Sequence, residues 1–83
     1  MKLYAVAIFD NAIQAYHRPF FVSHTQAAVR SFIDEMRNTE SEIAKHPADY
    51  DLYMVGTFDD GDGKFHTDNM PLIRGVDAPT GAK

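Results

Sequence analysis

Four histidines, a cluster of aspartates and a scatter of tyrosines and cations are the residues of this 83-residue chain that invite a chemical reading. Metal binding or general-base work by histidine needs ligands at paired helical spacing or a nucleophile within reach. His17, His24, His46 and His66 show neither; His46 before Pro47 reads as a turn residue and His24 as part of a helix first turn. Asp59-Asp60-Gly61-Asp62-Gly63 has the composition of a calcium loop. A calcium loop needs further ligands and a closing Glu, and here Lys64, Phe65 and His66 follow. The stretch therefore reads as a solvated acidic reversal, which repels DNA and should point away from it. Ser23, Ser31 and Ser41 read as a cap, a wet helix position and a turn. No glycine loop suits a phosphate. The sequence thus predicts no catalytic residue, no metal site and no cofactor, and the chain is not expected to be an enzyme.

Recognition is the chemistry left. Bases stack on aromatic faces for about 1–3 kcal/mol each, and Tyr4 and Tyr53 fall on apolar runs that read as neighbouring central strands. Lys2, Arg18 and Lys64 stand near strand ends where phosphates would pass, and Arg30, Arg37 and Lys45 are further phosphate candidates. Against this stands a net charge of −4 and a pI of about 5.3, with the eight cations dispersed. A basic surface would have to be assembled by folding or by pooling two chains.

The elements that must position these residues are legible in outline. Leu3 to Phe9 and Tyr50 to Phe58 are apolar on both alternating sets, the pattern of central strands. In the second of these, Tyr50, Leu52, Met54, Gly56 and Phe58 share one set and Tyr53, Val55 and Thr57 the other. Arg18 to Val22 reads as an edge strand because Pro19 lacks the ladder donor; Ala12 to Tyr16, after the Asp10-Asn11 turn, is ambiguous. Ser23-His24-Thr25-Gln26 fits a capping box, and Ala28, Val29, Phe32, Ile33 and Met36 form one apolar stripe on a helix reaching about Asn38. Thr39-Glu40-Ser41-Glu42 fits a second capping box, opening one short turn of helix that Pro47 stops. A short return strand follows the acidic turn. The predicted fold is α+β: a four-stranded antiparallel sheet, ββαββ in order 2-1-3-4, with one main helix on one face. Residues 1–74 form the domain and 75–83 a flexible tail.

One helix roofs only one face of such a sheet. The other is left for a second copy of the chain or for unpaired bases, and a chain this small gains from self-association. No apolar run approaches the ~20 residues of a membrane span, there are no cysteines, and the apolar N-terminus reads as a strand rather than a leader.

The stretch HPADYDLYMVGTFDDGDGKF, with the upstream FD closing strand one, the AIQAY segment at 12–16 and PFFV before the helix, resembles the small nonstructural protein encoded by the fifth open reading frame of gokushovirus-type Microviridae, phages with single-stranded DNA. The resemblance covers roughly residues 1–66. It implies a DNA-binding protein of the host cytoplasm, absent from the virion, that assists the switch from duplex replication to single-strand synthesis and packaging. Its expected partners are single-stranded DNA, itself as a homodimer, and phage replication or procapsid proteins. The alternative expectation is a homodimeric adaptor for the replication initiator or procapsid that makes no direct DNA contact.

Overall fold

The computed structural model describes residues 1–78. Two long strands, β1 (Lys2–Asp10) and β4 (Tyr50–Asp59), pair antiparallel down the middle of the sheet, as their two-sided apolar sequences require. On the outer edge of β1 lie two short pieces, β2 (Ala15–Tyr16) and β3 (Phe20–Val22), and on the outer edge of β4 lies β5 (Lys64–Arg74). The path is β2-β1-β4-β5 with β3 also on β1, so the expected four-strand order becomes a five-strand one. The physical reason is Pro19, which breaks the edge into two pieces and leaves Arg18 and Pro19 outside both.

Helix α1 (Thr25–Met36) lies on one side of the sheet. Ala28, Phe32 and Met36, four residues apart, are buried against Val6, Leu52, Met54 and Tyr50. The expected capping box does not form: His24 occupies the cap position in extended backbone and no side chain bonds the first turn. The second box shifts too: Ser41, rather than Thr39, caps the one-turn helix α2 (Glu42–Lys45), its hydroxyl accepting from the Ile43 amide at 3.2 Å. A 3-10 turn over Pro47–Asp49 then feeds β4.

Two departures matter. β5 runs eleven residues, through the polar His66–Asn69 and past Pro71, rather than ending after the hairpin. Pro71 is tolerated because β5 is an edge strand. Gly75–Asp77 then turn back, Gly75 is buried and Ala78 enters the core, so the packed chain extends beyond Arg74. The rest of the expected tail, 79–83, lies outside the described residues.

The sheet also carries a break in register. Ala5 pairs with Gly56 but Val6 pairs with Met54, so Val55 is an extra residue in β4. Such a bulge reverses the facing of everything beyond it. A side chain at position 56 would meet the His66 carbonyl oxygen at 2.8 Å, so only glycine allows β4 and β5 to approach this closely there.

Candidate functional site

Cross-strand partners share a face, and α1 marks one face as the core side. Val6/Met54, Ile8/Leu52 and Asp10/Tyr50 point to the helix. Ala7/Tyr53 and, beyond the bulge, Ala5/Gly56 and Leu3/Phe58 point away from it. β3 adds Phe21 opposite Ala5, β2 adds Tyr16 opposite Phe9, and β5 adds Phe65 opposite Phe58. The sheet face opposite α1 therefore bears six rings.

They form two clusters. Toward one end the Phe9–Tyr16 centroids are 4.8 Å apart, Tyr16–Tyr53 5.7 Å and Phe9–Tyr53 6.2 Å. The Tyr16 hydroxyl accepts from Asn69 Nδ2 at 2.8 Å, which ties one sheet edge to the other across the face. Toward the hairpin, Phe58–Phe65 are 5.0 Å apart, Phe21–Phe65 5.8 Å and Phe21–Phe58 6.2 Å. The rings cover the small residues between them: Ala5 and Ala7 are buried. Nothing in the described residues covers the rings in turn, and Tyr16, Phe21 and Phe65 remain 45%, 49% and 58% exposed.

Of the sequence-predicted stacking residues, Tyr53 stands on this face and Tyr4 does not. Tyr4 pairs with Thr57 and packs at the margin of the core on the helix side. Tyr4 alternates with Val6 and Ile8 along β1 and so faces the helix, whereas Tyr53 pairs with Ala7 of the other set; the extra Val55 brings Thr57 to Tyr4's side although Thr57 shares an alternating set with Tyr53. Phe58 makes the reverse move. Phe21, Phe65 and Phe9 were not singled out by the sequence reading, because strand register, rather than residue type, decides where they face.

The cations are elsewhere. Lys2 and Lys64 both pair with Asp59, one from each side, and so share the face that carries Tyr4. Arg30 and Arg37 border a shallow trough of about 420 Å³ on the flank of α1, floored by Val29 and Ile33, with Gln26 and Asp34 beside them. Lys45 is exposed on α2 and Arg18 is exposed between β2 and β3. On the ring face itself the charged residues are Asp51 and Arg74, cross-strand partners at one end. Asp51 accepts from the Gly75 amide and from Asn11, and Arg74 is paired with Asp77 at 3.2 Å.

The acidic turn is spent on its own backbone. Asp59 accepts from the Gly61 amide at 2.8 Å and Asp62 from the Lys64 amide at 3.0 Å, while Asp60 holds the Met1 ammonium at 2.7 Å. The Gly61 amide holds the Asp59 carboxyl below its usual range, and the Asp60 hydrogen bond raises the ammonium above its own. At the opposite end of the sheet, Asp10 is buried, accepts from the Ala12 amide at 3.0 Å and lies 3.5 Å from His17 Nε2. Tyr50 beside them is raised above the usual phenol range by burial first, then by Asp10, Glu42 and Asp49. This group joins β2 to the core. Among the described residues no three His, Asp or Glu converge as a metal-binding set, and no helix is long and apolar enough to cross a membrane.

No curated protein and no solved structure matches the chain. A family described as Phage ORF5 protein matches residues 1–78, nearly the whole sequence, and the chain belongs to that family.

Proposed function

We propose that the chain is a non-enzymatic accessory of phage DNA replication that takes unpaired DNA on its ring-bearing face. It does so in the host cytoplasm, outside the virion, at the switch to single-strand synthesis and packaging. The observation that carries this is the set of six rings on an uncovered sheet face, three of them 45–58% exposed. Every base has a π-face, so such a platform is indifferent to sequence.

The charge distribution sets how binding must look. With Arg74, the cation that the described strands place on the face, engaged by Asp77, phosphates have to run outward into solvent. Each phosphate neutralised on a single strand contributes about −0.7 to the slope of log K against log salt. Stacking on this face therefore gives a slope of about −1 or shallower. The test is titration of a fluorescently labelled 12-mer of thymidylate at 50 and 200 mM salt. Phe21→Ala with Phe65→Ala, and separately Tyr53→Ala, should each weaken binding at least tenfold, and Tyr4→Ala should leave it unchanged. A steep salt slope lost in Arg30→Ala/Arg37→Ala would move the site to the helix flank. No binding at 100 µM chain would end the DNA reading.

A second reading has its own observation. Net charge −4 and cations set off the ring face suit a homodimeric adaptor for the replication initiator or a procapsid protein, without DNA contact. It is the reading left standing if the titration is blank.

A further inference from the structure

An apolar, ring-bearing face of this extent has a cost in water whenever no ligand is on it. β5 is eleven residues long and the face is four strand positions wide. At about 3.3 Å per residue and about 4.8 Å per strand, the whole face spans about 700 Å², the polar Asp51, Thr67, Asn69 and Arg74 included, before the relief of the rings is counted. Monomers rarely leave contiguous apolar patches beyond a few hundred Å² open to solvent. A standard protein interface takes about 800 Å² from each partner, so the face is the right size for one.

Charge selects the occupant. A foreign partner of either sign finds little to pair with, since Asp51 and Arg74 already face each other across the ladder. A second copy brought onto this face buries no unpaired charge and offers the same rings in return, as a two-fold interface requires. We propose that a second copy of this chain covers the ring face at rest, sheet against sheet at about 10 Å with α1 outermost on both sides, and that unpaired DNA competes with that copy for the same rings. The competition rests on the stacking reading above; the pairing does not.

Sedimentation equilibrium on the full chain from 1 to 300 µM tests the pairing. The expected species is twice 9.3 kDa. A buried aromatic anchor is worth about 30-fold in affinity, and a two-fold axis applies each substitution twice, so Phe65→Ala should weaken dimerisation about 1,000-fold. Phe21→Ala gives an independent variant should the hairpin be disturbed, with far-UV circular dichroism as the check on folding. A monomer across the whole range overturns the pairing. So does a dimer that neither substitution moves. Saturating 12-mer thymidylate should then convert dimers to complexes holding one chain, with apparent DNA affinity falling as chain concentration rises. DNA bound to an intact dimer overturns the competition. A dimer broken by Phe65→Ala that binds no oligonucleotide upholds the pairing while removing both the competition and the stacking reading.

Discussion

Replacing Phe32 and Phe65 by alanine, one at a time, asks whether the sheet is roofed on one side only. Phe32 is 3% exposed and sits among Val6, Leu52 and Met36. Truncating a buried Phe costs about 3–5 kcal/mol. An opening of about 90 Å³ already adjoins it, lined in part by Phe20 and Ile8. Phe20 is 41% exposed and free to settle inward, which places the loss near the lower limit, about 3 kcal/mol. A domain of this size holds about 4–12 kcal/mol in all, and 3 kcal/mol lowers its melting temperature by about 12 °C or more. Phe65, 58% exposed, keeps less than half its surface from water. Its truncation should cost about 1 kcal/mol from area and ring contacts with Phe58 and Phe21. Urea denaturation followed by circular dichroism at 2 and 200 µM measures both. Phe32→Ala should lose the same amount at either concentration, while Phe65→Ala should lose little at 2 µM and more at 200 µM, where dimers form. Equal, concentration-independent losses of about 3 kcal/mol for both would refute the argument. The rings would then belong to the chain's own core.

Other outcomes follow from single contacts. A methyl at Gly75 overlaps the backbone carbonyl oxygens of Pro47 and Tyr50, so Gly75→Ala should cost about 3 kcal/mol or more, read as a fall in urea midpoint. Ser41→Ala removes the cap on Ile43 and should cost about 1 kcal/mol by the same measurement. The Asp59 carboxyl is held below its usual range by the Gly61 amide. Its contribution to the hairpin tip is therefore present above the ordinary carboxylate range and lost as pH falls through the lowered value. Hydrogen exchange at the Gly61 amide, corrected for its intrinsic rate, should lose protection only at that acid extreme, and protection lost already near pH 6 would contradict the assignment.

The core side of the fold is legible in the sequence because burial writes a pattern there. Two-sided apolar runs put β1 and β4 at the centre, and Ala28, Phe32 and Met36 mark the buried stripe of α1. β5 is another matter. His66 to Asn69 are exposed on an edge strand, with solvent on both sides and no selection for alternation; what makes them a strand is the ladder offered by β4. The capping box at Ser23 has the right residue types, but the chain leaves β3 so that His24, not Ser23, reaches the cap position.

The open face was misread in its membership rather than in its existence, and one residue accounts for that. Tyr4 pairs with Thr57, and Thr57 shares an alternating set with Tyr53, so an unbroken β4 would put both tyrosines on the same side. Val55 is the extra residue that parts them. It turns Thr57 to the helix side, beside Tyr4, Lys2 and Lys64, and turns Phe58 outward to complete a triad with Phe21 and Phe65. Nothing in the composition of Met54-Val55-Gly56 announces a bulge, except that glycine alone tolerates the His66 carbonyl beside position 56. The same residue thus separates rings from cations. A binding face read with Tyr4, Lys2 and Lys64 beside Tyr53 is an electrostatic groove; with Phe58 in their place it is an apolar platform. Salt dependence distinguishes the two, since a groove loses affinity steeply between 50 and 200 mM salt and a platform does not.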